Sequence, residues 1–239
     1  MTLSRRLAAE ALGTAFLLAA IVGSGIMATR LSEANEGLAL LANTLVTGLA
    51  LMTLILTFAP VSGAHFNPVV TLLEVWQGKM AWHDVPPYIV AQLIGACAGV
   101  AAVDVMFGLP VFSAATQVKS DRPLLWSEFI ATFGLIGVIT GCSRRRPAAT
   151  PFAVAAYIVA ACWFTSSSSF ANPAATLARA MSATFTGIRP ADVLGFVVAQ
   201  IMGASCAAVA FDWMFPLTGA LDRSTKRAAA ADGGSELAS

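Results

Sequence analysis

Six long apolar stretches constrain the fold of this chain more than any other feature of its sequence. They run over about residues 7–29, 39–60, 86–107, 124–141, 150–166 and 191–215. Each is close to the ~20 residues that an α-helix needs to cross about 30 Å of hydrocarbon. The sequence therefore predicts an all-α membrane protein with six transmembrane helices.

The overall composition supports a membrane location. Hydrophobic residues make up 57% of the 239 positions and charged residues 11%, and the mean hydropathy is +0.76. These values exclude a water-soluble core, so we expect lipid as the surroundings. The net charge of +1 provides no basic field for nucleic acid. The four cysteines and two histidines lack metal-ligand spacing, and we expect no metal and no cofactor.

The basic residues predict the orientation. Because cytoplasmic loops carry more Lys and Arg, the side with more of them is the cytoplasmic one. One side holds both termini and nine of the 14 Lys and Arg residues: Arg5, Arg6, Lys79, Arg144, Arg145, Arg146, Arg223, Lys226 and Arg227. We therefore expect a cell (inner) membrane protein with both termini in the cytoplasm. Residues 217–239 are polar and low in complexity, and we expect a disordered tail.

The chain also repeats itself. Residues 90–107 and 198–215 are identical at nine of eighteen positions without a gap. Each half carries three spans, an odd number, so the second half must be inverted relative to the first. The sequence predicts one channel-like domain over residues 1–216, with inverted repeats at about 5–110 and 122–216.

Two Asn-Pro motifs interrupt the apolar pattern at corresponding places in the two halves. They lie in SGAHFNPVVTLL (62–73) and SSFANPAATLAR (168–179). Proline fits the first turn of a helix, and asparagine is a favoured cap just before it. Two short half-helices should therefore start at Pro68 and Pro173, capped by Asn67 and Asn172. Inversion of the halves makes them enter from opposite faces and meet near the midplane.

Such a meeting point has a limited chemistry. Each helix N-terminus carries partial positive charge and unpaired N–H groups, and each Asn presents an amide NH2 toward any lumen. The site can hydrogen-bond a passing hydroxyl or water oxygen, and it opposes cations. We find no nucleophile–base pair or metal-ligand set, so the residues predict a passive pore and not an enzyme.

These motifs resemble those of the aquaporin, or major intrinsic protein, family over about residues 5–216. The specific marks are SGAHFNPVVT and ANPAAT in equivalent places, together with Glu10, Glu128, Gln92 and Gln200. Val69 departs from the alanine usual in the first motif, whereas Ala174 keeps it in the second. The resemblance implies the aquaporin fold, a homotetramer with one pore per subunit, and permeation by water and small neutral solutes.

The resemblance also implies a second constriction, or selectivity filter, toward the outside. Gap-free spacing from the Asn-Pro motifs places its four positions at Thr47, Ala160, Ser169 and Ala175. The last position is usually arginine, and the others often include bulky aromatic residues or histidine. This set predicts a wide, uncharged, aquaglyceroporin-like filter. We expect it to pass glycerol-like polyols, urea and metalloid hydroxides such as arsenous acid.

Arg179 lies one helical turn beyond Ala175. It either places a displaced positive charge at the pore mouth, or is an interfacial arginine that snorkels to headgroups or holds a loop carbonyl. We favour the second interpretation. The serines at 166–169 form either a polar loop or a row of hydroxyls along the conduction path.

Three further residues support the vestibule or the loops. His65 lies in the first re-entrant loop, where a bracing role is favoured over a pH gate. Glu10 and Glu128 are acidic groups in spans, which by default indicates a proton relay. Their symmetric placement instead favours carboxylates that accept hydrogen bonds from the re-entrant backbone. A water-selective aquaporin and a coupled secondary transporter remain the alternative functions.

Overall fold

The computed structural model describes residues 1–216, and eight α-helices make up most of this part of the chain. They are α1 (Leu3–Leu31), α2 (Glu36–Ser62), α3 (Pro68–Trp76), α4 (Val85–Met106), α5 (Arg122–Arg145), α6 (Thr150–Phe164), α7 (Pro173–Arg179) and α8 (Val193–Met214). Short 3₁₀ turns, Trp82–Asp84, Pro147–Ala149 and Pro190–Asp192, precede α4, α6 and α8. The tail expected over 217–239 lies outside the described residues.

Six of the helices are long and apolar enough to cross a membrane. These are α1, α2, α5 and, with their 3₁₀ turns, α4, α6 and α8. The prediction of six transmembrane helices is confirmed. The remaining two, α3 and α7, have nine and seven residues and are too short to span.

The two halves share one arrangement of long, long, short and long helices. In the first half α1 packs along α4, and in the second α5 packs along α8 in the same way. Contacts between α2 and α6 join the halves, and the half-helices α3 and α7 also touch. An odd number of spans per half inverts the second half, which confirms the inverted-repeat fold.

Glycines at equivalent positions allow the paired helices to approach closely. A Cβ added at Gly95 of α4 would lie 2.1 Å from the carbonyl oxygen of Ala11 in α1. A Cβ at Gly203 of α8 would lie 2.3 Å from the carbonyl oxygen of Phe129 in α5. These small residues therefore permit helix contact.

Gly203→Ala should destabilise the protein by about 1–3 kcal/mol, because the obstructing atom is backbone and has little room to move. A thermal unfolding curve in detergent measures the effect as a lower Tm. Gly141→Ala is the matched control, since its added Cβ would meet only Phe215 ring atoms at 3.5–3.6 Å. A Gly203→Ala protein that melts with the wild type would contradict this packing.

The half-helices begin where the Asn-Pro motifs predict. Pro68 is the first residue of α3, and the side chain of Asn67 accepts a hydrogen bond from the N–H of Val69. Pro173 is the first residue of α7, and Asn172 accepts from the N–H groups of Ala174 and Ala175 at 3.0 and 3.2 Å. The caps fix the start of each half-helix and the position of each Asn amide.

Candidate functional site

The two asparagines hold each other's loops. Nδ2 of Asn67 donates to the carbonyl oxygen of Ala171, and Nδ2 of Asn172 donates to that of Phe66, both at 2.8 Å. An amide nitrogen carries two N–H groups, and the cross-link uses one of each. The second N–H of each Asn has no protein acceptor within residues 1–216. Since both asparagines line the central cavity, these donors are available to a solute.

Residues with left-handed backbone make these reciprocal hydrogen bonds between the two loops possible. Phe66 and Ala171, each directly before an Asn, have φ of +50° and +46°. Non-glycine residues adopt this region only when surrounding contacts hold them, at about 1–3 kcal/mol each. The turn at each position directs one carbonyl across to the opposite half.

Buried carboxylates hold these turns. Glu10 and Glu128 are both 0% exposed. Glu128 accepts from the N–H groups of Phe170 and Ala171, at 2.9 Å each. Glu10 accepts from the N–H groups of His65 and Phe66 and from the Ser62 hydroxyl. This geometry supports loop bracing over a proton relay, because the carboxylate oxygens are occupied by donors.

Each brace extends to a half-helix through a glutamine. Gln92 Nε2 donates to Glu10 at 2.8 Å and to the Thr71 hydroxyl at 3.0 Å. In the second half, Gln200 Nε2 makes the same two contacts to Glu128 and to the hydroxyl of Thr176. The two threonines were missed at the sequence level. Their equal offset, four residues after each Asn, was the available signal.

A cavity of about 630 Å³ is lined by both asparagines. Its lining at one end, called the outer end after the predicted orientation, includes Glu36 and Gly37 at the start of α2, and at the other, called the inner end, Lys79, Ser143 and Thr150. Thus the lining reaches from the connection after α1 to that between α5 and α6. Such a path suits permeation by small solutes.

Three of the four expected filter residues line this cavity. Thr47 comes from α2, Ser169 from the loop before α7, and Ala175 from the first turn of α7. The hydroxyl oxygens of Thr47 and Ser169 have no hydrogen-bond partner among the described residues. Ser168 also lies on the wall. At these four positions the wall is made of short, uncharged side chains.

The fourth expected filter residue, Ala160, does not lie in the cavity wall. It is exposed on the outside of α6 and is not part of the cavity wall, whereas Val154, Ile158 and Cys162 line it. These three recur every four residues along α6, so a residue two positions away points about 200° elsewhere. Gap-free counting from Asn172 therefore fails for α6. Cys162 is the lining residue of α6 nearest to the outer loops.

A bulky side chain should lower glycerol permeability at residue 162 but not at residue 160. Cys162→Phe fills part of the cavity and should lower glycerol permeability about tenfold, whereas the matched control Ala160→Phe should leave it within about twofold. Stopped-flow light scattering of proteoliposomes measures both. If Ala160→Phe were the blocking variant, the wall would be assigned to the wrong face of α6.

Arg179 is buried in the cavity wall with 8% of its surface exposed. Its Nε donates to the carbonyl oxygen of Thr186, and its guanidinium carbon lies 3.3 Å from the centroid of the Phe170 ring. The predicted contact with a loop carbonyl is observed. Snorkelling to headgroups is not, because the side chain is enclosed. The residue also places a cation at the outer end of the cavity.

His65 lies on the inner part of the cavity wall. Its Nδ1 is 3.1 Å from the Thr71 hydroxyl, and its ring centroid is 5.2 Å from that of Tyr88. These contacts hold the ring against α3 and α4. These contacts support the bracing role expected for His65.

Comparisons with known proteins agree with this architecture. The profile of the Major intrinsic protein family matches residues 1–150. "Aquaglyceroporin AqpS" of Rhizobium meliloti (strain 1021) is 47% identical over 212 residues, covering 89% of this chain and 91% of that protein. "Aquaporin NIP1-3" of Oryza sativa subsp. japonica is 31% identical over 242 residues, covering 94% and 82%.

A solved structure gives the same result for the fold. The X-ray structure of the aquaglyceroporin from Plasmodium falciparum superposes with a TM-score of 0.68, at 22% identity, over 88% of this chain and 96% of that one. The fold, the paired motifs and the sequence relatives lead to one conclusion: the chain belongs to the major intrinsic protein family of membrane channels.

Proposed function

We propose that this protein is a passive channel for small uncharged solutes, with water as a co-permeant. The solutes are glycerol-like polyols, urea and metalloid hydroxides such as arsenous acid. The observation that carries the proposal is the continuous cavity whose filter region is walled by Thr47, Ser169 and Ala175. The name of the 47% identical relative, an aquaglyceroporin, supports the same class of solute.

The wall matches hydroxylated solutes in size and in hydrogen bonding. Serine, threonine and alanine leave more room than the aromatic residues and arginine that a narrow filter uses. The second N–H groups of Asn67 and Asn172 offer hydrogen-bond donors to a compact triol along the path.

Charge along the path favours neutral solutes over cations. The half-helix N-termini and Arg179 place positive charge next to the lumen. Glu10 and Glu128 accept hydrogen bonds from backbone and side-chain donors, so we infer that neither of them relays protons. The proposal is therefore a channel without coupling to protons.

Glycerol influx into proteoliposomes tests the mechanism. We expect the initial rate to rise linearly with the glycerol gradient and to stay unchanged when an inward proton gradient is imposed. Protein-free liposomes give the baseline. Saturation at low concentration, or acceleration by the proton gradient, would replace the channel by a coupled transporter.

The assembly and orientation are part of the same proposal. We place a homotetramer with one pore per subunit in the cell (inner) membrane, with both termini in the cytoplasm. The exposed apolar surfaces of the spanning helices support burial in lipid or against other subunits. Within the described residues, the basic cluster Arg144, Arg145, Arg146 at the end of α5 supports the orientation. Light scattering after size exclusion measures the mass.

A further inference from the structure

Two cations meet on one aromatic ring at the outer end of the cavity. The guanidinium of Arg179, at the end of α7, stacks on Phe170 at 3.3 Å from its centroid. The ammonium of Lys119, from the segment before α5, lies 5.4 Å from the same centroid. Both residues line the cavity. Segments 60 residues apart in sequence, 119 and 179, therefore bring two positive charges to the same ring in the cavity wall.

Neither cation is neutralised by a salt bridge within residues 1–216. The ion pairs there use Arg6, Lys79, His83, Arg144 and Arg189. Arg179 uses only its Nε in a protein hydrogen bond, to Thr186. Its terminal N–H groups have no acceptor in the described chain, which is unusual for an arginine that is 8% exposed.

The surrounding carboxylates are already engaged or lie at the rim. Glu128 acts on both cations through space, but its oxygens accept from Phe170, Ala171 and Gln200. Asp192 pairs with Arg189 and accepts from the backbone N–H of Lys119 at 2.7 Å. Glu36 lines the outer rim. Asp192 is buried too, but Arg189 offsets its charge, so Glu128 is the nearby buried carboxylate left against two cations and the site keeps positive charge.

We propose that Arg179 and Lys119 form a binding site for a small, singly charged oxyanion at the outer mouth of the channel. The planar guanidinium fork matches two oxygens of a carboxylate, phosphinate or similar group, and the ammonium supplies a second point charge. The two cations together with the Glu128 carboxylate leave one positive charge without a partner, and an anion with a single negative charge balances it. This site goes beyond the proposed function, because it binds an ion and does not require that the ion cross.

The affinity of this site depends on the charge of Lys119. Burial, and then the neighbouring Arg179, lower the pKa of Lys119 to about 8, while Glu128 opposes the shift. The lysine is therefore charged below about pH 8 and loses its proton as the pH rises through that value. Anion binding should weaken over the same interval.

A ³¹P NMR titration of the full-length protein with dimethylphosphinate tests the proposal. This probe keeps one negative charge across the neutral and alkaline range, and a maltoside detergent adds no phosphorus signal. The wild type should broaden the probe signal saturably. Arg179→Gln should weaken binding at least about tenfold and Lys119→Gln about threefold. Arg30→Gln is the control, because Arg30 stacks on Phe107 away from the cavity.

The pH series makes the test specific for the lysine. Between pH 6.5 and 9.5 the wild-type affinity should fall about threefold, whereas that of Lys119→Gln should stay constant. Lys119→Gln preserves the hydrogen bond from the backbone N–H of position 119 to Asp192, so we expect this variant to fold. It therefore tests the proposal even if Arg179→Gln does not fold. No saturable broadening with the wild type, or wild-type affinity and pH dependence in Lys119→Gln, would overturn the proposal.

Discussion

Replacing Ala175 with arginine should lower glycerol permeability at least about tenfold and water permeability no more than about threefold. Ala175 lines the cavity from the first turn of α7 and is 2% exposed. A long charged side chain there would occupy the space through which solutes larger than water pass. Stopped-flow light scattering with glycerol and with an impermeant osmolyte measures the two rates.

Ala114→Arg provides the control for this variant. It makes the same substitution in an exposed position of the loop before α5, outside the cavity wall. It should leave both permeabilities close to wild type. An Ala175→Arg channel that keeps the wild-type ratio of glycerol to water would show that the filter lies elsewhere along the cavity.

Glu128→Gln should destabilise the protein by roughly 3 kcal/mol, although the substitution is conservative in size. An amide oxygen can replace one carboxylate oxygen, but the new NH2 group faces further donors. If it replaces Oε1, the N–H of Phe170 loses its acceptor; if it replaces Oε2, the N–H of Ala171 and the amide of Gln200 lose theirs. In the second case the left-handed turn at Ala171 also loses a contact that holds it. A lower Tm and a smaller monodisperse fraction after purification measure the loss.

Glu10→Gln should behave in the same way, because it occupies the equivalent position of the first half. Glu33→Gln, in the exposed loop after α1, is the control. A proton-relay role gives a different result, namely a normally stable Glu128→Gln protein whose solute flux has changed its pH dependence. That outcome would contradict the bracing role.

Local rules predicted the helices and the half-helices. Apolar length determined the six spans, and the Asn-Pro motifs determined where α3 and α7 begin, because capping and proline geometry act within a few residues. The inverted repeat followed from counting spans. These features depend on neighbouring residues or on the odd number of spans in each half, so the sequence alone was sufficient to predict them.

The remaining features depend on tertiary contacts. Phe66 and Ala171 carry no local signal for positive φ, since glycine is the usual residue there and only the Glu and Asn bonds hold them. Ala160 was wrongly assigned to the filter, because the number of residues between α6 and Asn172 does not determine which face of α6 lines the cavity. The convergence of Lys119 and Arg179 on Phe170 joins distant segments and has no periodic pattern.

Proteoliposome swelling in inward gradients of glycerol and arsenous acid, compared with shrinkage in an impermeant osmolyte, tests the width of the pore. The short side chains of Thr47, Ser169 and Ala175 should leave a path wide enough for neutral triols. We expect both solutes to enter well above the rate in protein-free liposomes. Rapid water flux with complete exclusion of both solutes would contradict the account.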